Sequence, residues 1–461
     1  MKPIISPQIT EEAVKLIRLA IPLCVTFLSI YLINLTELTI VGRLGVIELA
    51  AVGLAFDMIV MFDLIGIGLL TTLTVLTTQA VSRGDERQVA VVLRSGLMIA
   101  VILGVIGMVW IGLVPSLMVA TGQDARIIAP AKSYVVAAIF SVIPVFISEV
   151  VSSLASARGQ RMLNRVAIIW AAGVAINIPL TWFMVMGFNG SGGWGLTGAG
   201  ISRVMIGCAI AAAEFYFCGA KDVLIRKRGE IEAWLKLAEF RQTAKKILHQ
   251  GLPVALSFFF EFTMFVAVGL LIGRYGADWL AANKMVVTVL ELAFFVSSSF
   301  AMAGMIRITA VLEQSGLDKR LALRQIGLTA LFLAIIMMTG FIVIMEIFPR
   351  FLIGFFVDMD RPDNQKAIEA AVILFAIAGV FQLLDTIQIV MSRLLRGFQD
   401  VRWPMVIALS GYWGVGIGGG LLISNYSGQP TSLWWALAAG LGLVSILMSW
   451  RFWIMTARVK G

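Results

Sequence analysis

Twelve stretches of this chain are apolar for long enough to cross a bilayer, and that recurrence limits the fold more than any other feature. A helix needs about 20 apolar residues to span the hydrocarbon. Read between charges, glycines and prolines, the stretches lie near 14–41, 49–80, 89–113, 130–155, 163–187, 196–219, 243–272, 280–312, 322–347, 366–395, 403–424 and 432–455. Lipid offers no partner to an unpaired backbone group, so the spans must be helices or a closed barrel. A barrel would be written as short alternating segments, which are not what this sequence holds. Composition agrees: 59% of residues are hydrophobic and 14% charged, against about 25% charged in a soluble domain. The expected fold is an all-α integral membrane protein.

The spans fall into two sets. At Val41 the chain reads VGRLGVIELAAVG, and at Ile272 it reads IGRYGADWLAANK; six of the thirteen positions are identical at an offset of 231 residues. Pro22 in AIPL maps to Pro253 in GLPV by the same offset, and ARGQRMLNR after the fourth span faces LRGFQDVRW after the tenth. An even number of spans per half gives both halves the same orientation, related by an axis along the membrane normal, as in transporters built from parallel repeats. The expected organisation is therefore two pseudo-symmetric six-helix lobes, 1–219 and 243–461, joined by a cytoplasmic connection at 220–242. Within that connection Ile231, Trp234, Leu235 and Ala238 share one helical face, the pattern either of an amphipathic helix on the inner leaflet or of a solvated linker helix. The glycines of the repeated loop need only make a tight turn, while Arg43 and Arg274 could cap helix ends or meet lipid phosphate.

The formal charge of +9 reports topology. Of 36 Lys and Arg, 26 lie at the N-terminus, in the loops after even-numbered spans and in the C-terminal tail; 7 lie on the other side, and Arg203, Lys284 and Arg307 fall within helices. The positive-inside rule then puts both termini in the cytoplasm, and nucleic acid is not an expected partner. The opening MKPIISPQITEEAVKLIR is polar for too long to be a signal peptide. Cys24, Cys208 and Cys218 show no CxxC spacing, so neither a disulfide framework nor a zinc site is expected.

Eight acids lie within spans: Glu37, Asp57, Asp63, Glu149, Glu214, Glu261, Glu291 and Asp385. Each costs about 2.5–3.5 kcal/mol at a helix centre on insertion scales, so such residues mark partners, cavities or ion paths. Glu149 and Glu214 are near cytoplasmic ends, within reach of water; Glu291 shares a face with Lys284. Asp57 and Asp63 stand about 120° apart around their helix. Three acids are the stronger candidates. Glu261 sits in FFFEFTMF without a nearby charge in sequence. Asp385 belongs to a polar stripe of Gln382, Asp385, Gln388 and Ser392 at helical spacing. Glu37 follows Asn34 by about one turn, and Asn177 and Thr181 are i,i+4 neighbours on the fifth span. A buried carboxylate can take a proton or, with further oxygen ligands, hold a cation; a helix–helix hydrogen bond is the alternative.

Other motifs are absent or fail in context. GVGIGG at 414–419 matches a dinucleotide fingerprint but follows no strand; Gly414 with Gly418, and Gly416 with Gly420, instead fit close helix contacts. No HExxH, GxSxG or Walker A sequence occurs, so an enzyme is not expected. His249 is interfacial and receives no role.

ELTIVGRLG, NIPLTWFMVMG followed by GGWGLTGAG, GLPVALSFFFEFTMF and FQLLDTIQIVMSRLLRG, set in two six-helix halves, resemble the multidrug and toxic compound extrusion (MATE) family, in particular its bacterial NorM-like branch, over essentially the whole chain. The resemblance implies paired lobes and antiport of Na+ or H+ against organic cations. It places the family's span-seven glutamate on Glu261, its span-ten aspartate on Asp385 and its span-one acid on Glu37, where Asp is usual. An Asn pair becomes Asn177 and Thr181. The aromatic before the span-ten acid is Phe381, lacking the hydroxyl of Tyr, and AANK brings Asn283 and Lys284 where relatives carry Ala-Ala-His-Gln. Asp57, Asp63 and Arg203 also replace apolar or neutral residues.

The expectation is an inner-membrane antiporter, a monomer without cofactor, exporting small cationic or amphipathic molecules against H+ or Na+. Its expected coupling and substrate-binding residues are Glu261, Asp385, Glu37, Lys284, Asn177, Thr181, Phe381, Gln388, Asn283 and Asp57, with a possible Na+ at Glu261 and Asp385. The alternative is a flippase or exporter of a lipid-linked or dedicated natural-product substrate. Lys284 has two readings: a snorkelling interfacial lysine, or a tethered cation reaching Glu261 or Asp385.

Overall fold

The computed structural model describes residues 7–187, 192–225, 237–314 and 318–459. Twelve helices among them are long and apolar enough to cross a membrane: α1 (Thr10–Gly42), α2 (Ile47–Ser82), α3 (Glu86–Ala120), α4 (Ala125–Arg158), α5 (Gln160–Met186), α6 (Gly195–Phe217), α7 (Ala238–Gly273), α8 (Asp278–Glu313), α9 (Lys319–Ile347), α10 (Gln365–Gly397), α11 (Arg402–Ser427) and α12 (Thr431–Arg458). The number of spans is the expected one, and several run further than the apolar stretches alone. Helix α3 continues through Pro115 to Ala120, because a proline's missing N–H does not end a helix whose other bonds persist. Ile231, Trp234 and Leu235 of the expected amphipathic face lie outside the described residues; Ala238 opens α7.

The repeated loops share three backbone hydrogen bonds at equivalent positions. The Arg43 N–H donates to the Ile40 carbonyl (3.1 Å) and the Arg274 N–H to Leu271 (3.2 Å); Leu44 donates to Val41 (2.9 Å) and Tyr275 to Ile272 (2.9 Å); Leu49 donates to Gly45 (3.0 Å) and Leu280 to Gly276 (3.2 Å). Gly276 has φ +114°, a conformation that resists a side chain. The loop is thus a tight turn that starts the next helix. Arg43 lies over the Trp182 ring, 5.0 Å from its centre.

Two compact units divide the chain: Val25–Ala255, and Met1–Cys24 together with Leu256–Gly461. The boundary falls within α1 and within α7, three residues or fewer from Pro22 and Pro253. The start of α1 accordingly belongs to the second unit, where Glu12 accepts two hydrogen bonds from the Arg307 guanidinium of α8, both 2.8 Å. The start of α7 belongs to the first, where Glu239 pairs with Arg87 of α3 at 2.9 Å.

In the first unit α4 and α6 pack closely, as do α5 and α6. Phe62, Trp110 and Phe146 form its aromatic centre, and the Trp110 indole donates to the Met58 carbonyl at 2.9 Å. In the second unit α10 lies between α8 and α12, with Phe381 edge-on to both Phe265 and Trp434. The glycine run of α11 is π-helical over Ser410–Gly419. Gly411, Gly416 and Gly420 approach α12, whereas Gly414 has open space around it. Of the two expected glycine pairs, Gly416 with Gly420 is therefore the one that makes a helix contact.

Candidate functional site

The first unit concentrates buried charge around one arginine. Helix α6 brings in Arg203, α1 brings Asn34 and Glu37, and α2 brings Asp63. The Arg203 Nη1 donates to Glu37 Oε2 at 3.1 Å and to Asn34 Oδ1 at 3.2 Å. Its Nη2 lies 3.8 Å from Asp63 Oδ2, beyond hydrogen-bond distance. The guanidinium also rests on the Phe56 ring at 5.0 Å. Glu37 is 2% exposed and Asp63 7%. Glu37 Oε1 and Asp63 Oδ1 are buried without a hydrogen-bond partner. The buried Tyr134 hydroxyl of α4 lies close to Glu37 and Arg203. Next to Arg203 in sequence, Ser202 shares a hydrogen bond with Thr181 (3.0 Å), Thr181 donates to Asn177 Oδ1 (3.0 Å), and Asn177 donates to the Ile33 carbonyl (3.3 Å). Glu37, Asn177 and Thr181 thus line one polar track along α1, α5 and α6. Its hub is Arg203, and its second acid is Asp63 rather than Asp57, which is exposed.

The second unit is built differently. Asp385 on α10 is 7% exposed, and Glu261 on α7 acts on it electrostatically. Among the described residues neither carboxylate takes part in an ion pair within 4 Å. The cations acting on Glu261 are Arg393 and Arg396, about two and three turns along α10 from Asp385. Arg396 extends the stripe of Gln382, Asp385, Gln388 and Ser392 by one turn: its Nη2 donates to Ser392 Oγ at 3.3 Å, and its Cζ lies 5.0 Å from the Phe258 ring centre. Gln382, Gln388 and Arg396 are all buried, and each has a side-chain polar atom without a partner. Tyr412 on α11 is close to Glu261, Asp385 and Arg396.

One expectation needs correction, that for Glu214, and the surroundings of Lys284, Asn283 and Phe381 are also defined. Lys284 is exposed and makes no ion pair among the described residues, whereas Arg203 and Arg396 are the span cations that lie beside buried acids. Glu214 does not reach water: it is 0% exposed and accepts from Ser148, from Ser152 at 3.1 Å and from the Trp170 indole at 2.8 Å, joining α4, α5 and α6. Asn283 and Phe381 meet through Trp434, whose indole donates to Asn283 Oδ1 at 3.1 Å and whose ring packs edge-on to Phe381 at 5.4 Å; both are parts of a packed core. The sequence did hold the signal for Arg203, a lone cation inside a span, but not which acids it meets.

Twelve spans in two units, each with buried acids on its helices, define a polytopic membrane carrier. The MatE family model matches residues 22–183 and again 253–422, starting at the two prolines related by the 231-residue offset. The chain belongs to the MatE family; it is a multi-pass membrane transporter and not an enzyme. It is 28% identical to the multidrug resistance protein NorM of Burkholderia vietnamiensis, over 98% of this chain and 96% of that one. To a probable multidrug resistance protein NorM of Burkholderia pseudomallei it is 29% identical, over 97% and 93%. In fold it is similar to the eukaryotic MATE transporter AtDTX14 (TM-score 0.83, 15% identity, 98% of both chains). It is similar too to a MOP superfamily transporter from Pyrococcus furiosus (TM-score 0.84, 17% identity, 97% and 96%).

Proposed function

We propose that this transporter is a secondary antiporter of the inner membrane, with both termini cytoplasmic, exporting small cationic or amphipathic organic molecules in exchange for H+. The observation that carries the reading is the Glu261–Asp385 pair: two acids inside one unit, one acting on the other, with no ion pair to either among the described residues. Two adjacent carboxylates disfavour double ionisation, so the pair can accept one positive charge and release it when cargo or conformation changes the balance. Full-length similarity to NorM proteins supports the cargo class. Na+ would need several oxygen ligands; Phe381 withholds the hydroxyl a Tyr would offer, and Arg396 and Arg393 add positive charge, so a proton fits the pair better. The flippase alternative would favour a strongly basic interior; here Arg203 is engaged by Glu37 and Asp63, which leaves Arg396 as the buried cation without an ion pair among the described residues. Glu261→Gln and Asp385→Asn keep the side chains' size and remove the charge. In proteoliposomes loaded with an organic cation, each should abolish pH-driven flux while the protein stays monodisperse. Wild-type flux in both variants would make the carboxylates structural.

A further inference from the structure

The Arg203 cluster carries two acids and one base, all in the unit Val25–Ala255. With both acids ionised it holds one uncompensated negative charge. Burying such a charge is costly, so the cluster must gain one more positive charge, either a metal cation or a proton. The ligand inventory decides between them. The oxygens that could surround a Na+ here are Asn34 Oδ1, Glu37 Oε2 and Asp63 Oδ2, and the Arg203 N–H groups already face all three, at 3.2, 3.1 and 3.8 Å. What remains is Glu37 Oε1 and Asp63 Oδ1, buried and without a hydrogen-bond partner, and the Tyr134 hydroxyl beside Glu37, fewer oxygens than the roughly six a hard cation gathers. Of the two acids, Glu37 has the true charge-assisted hydrogen bond, and Asp63 the longer contact. Protonating Asp63 therefore gives up the weaker interaction.

We propose that Arg203 is the resident cation of this unit: it keeps Glu37 as a permanent ion pair, occupies the place of a coupling Na+, and leaves Asp63 as the carboxylate that exchanges a proton. One proton adds to Asp63 from water and later returns to it; no other covalent bond changes. The charged and titratable groups facing the exchange are Glu37 on α1, Tyr134 on α4 and Arg203 on α6. The inference deepens the antiport reading by naming the ion this unit accepts, yet its test needs no transport.

The test uses purified full-length protein in nanodiscs, with Glu261→Gln and Asp385→Asn present to silence the other unit. Radioactive Na+ binding and infrared difference spectra between alkaline and acidic buffer are measured. The expected result is no saturable Na+ binding, and a protonated-carboxyl component of the acid-induced spectrum that Asp63→Asn removes. Adding Arg203→Gln should create saturable Na+ binding, which Asp63→Asn or Glu37→Gln then abolishes, while Arg203→Lys should create none. Na+ binding in the Arg203 protein that Asp63→Asn abolishes would overturn the proposal. So would acid-induced carboxyl spectra that are identical with and without Asp63→Asn, or a folded Arg203→Gln protein without Na+ binding. Should Arg203→Gln not fold, the first two measurements still decide the matter. A transporter that passes these tests yet shows no pH-driven flux would refute the antiport reading and leave Arg203's role standing.

Discussion

Replacing Arg203 by Met keeps an unbranched side chain of similar reach and removes the charge. The change takes away the 3.1 Å pair with Glu37, the 3.8 Å contact with Asp63 and the hydrogen bond to Asn34, and strands two carboxylates whose side chains are only 3% and 10% exposed. Breaking a buried pair by removing one partner costs about 3–5 kcal/mol. That deficit should be full in mildly alkaline buffer and shrink in acid, because protonated carboxyls need no counter-ion. The triple variant Arg203→Met/Glu37→Gln/Asp63→Asn should recover most of the loss, since it leaves no charge unmatched, a strong departure from additivity of the kind neighbouring residues show. The assay is unfolding in mixed micelles with rising sodium dodecyl sulfate, followed by helical circular dichroism at both pH values. A deficit below about 1 kcal/mol, within the range of an ordinary substitution, would refute the reasoning. So would a deficit equal at both pH values.

Other predictions follow from the same geometry. Glu214→Ala should destabilise the protein by several kcal/mol, since it leaves the Ser148, Ser152 and Trp170 donors unmatched at about 1–3 kcal/mol each; Glu214→Gln, which keeps an acceptor, should cost much less in the same unfolding assay. Lys284→Gln should transport at the wild-type rate, because the ammonium is exposed and contacts neither coupling acid; loss of pH coupling in that variant would show a contact formed in another conformation. Reporter fusions at Gly192 and Gly428 should both score as external, and cytoplasmic scores at both would reverse the assigned topology.

The spans and the two-fold repeat were legible in the sequence because both are written in long-range patterns: apolar length for the helices, and a loop copied at a fixed offset for the halves. Where the two units divide was not legible. The boundary inside α1 and α7 depends on which neighbours each half-helix meets, such as Glu12 with Arg307, and no local pattern encodes that. The site was legible in part. The acids that mattered could be picked out as costly residues, but their partners could not, since the polar residues do not follow the repeat: the position 231 residues after Glu37 is Val268, and the one 231 before Glu261 is Ile30. Asp57 and Asp63 looked alike in sequence, and only the packing of α2 against its neighbours exposes one and buries the other. Glu214 was misplaced because distance from a span's end says nothing about what covers it. Lys284 has two readings in the sequence because departure from a family's pattern does not say whether a side chain is exposed.

Inward movement of protons should drive outward movement of an organic cation. This coupling is tested most directly by purified wild-type protein in liposomes, with cargo flux recorded while a pH gradient and a Na+ gradient are imposed separately. Flux should follow the pH gradient in Na+-free buffer and reverse when that gradient is reversed. Flux that requires a Na+ gradient at equal pH, and is unmoved by a pH gradient alone, would contradict it.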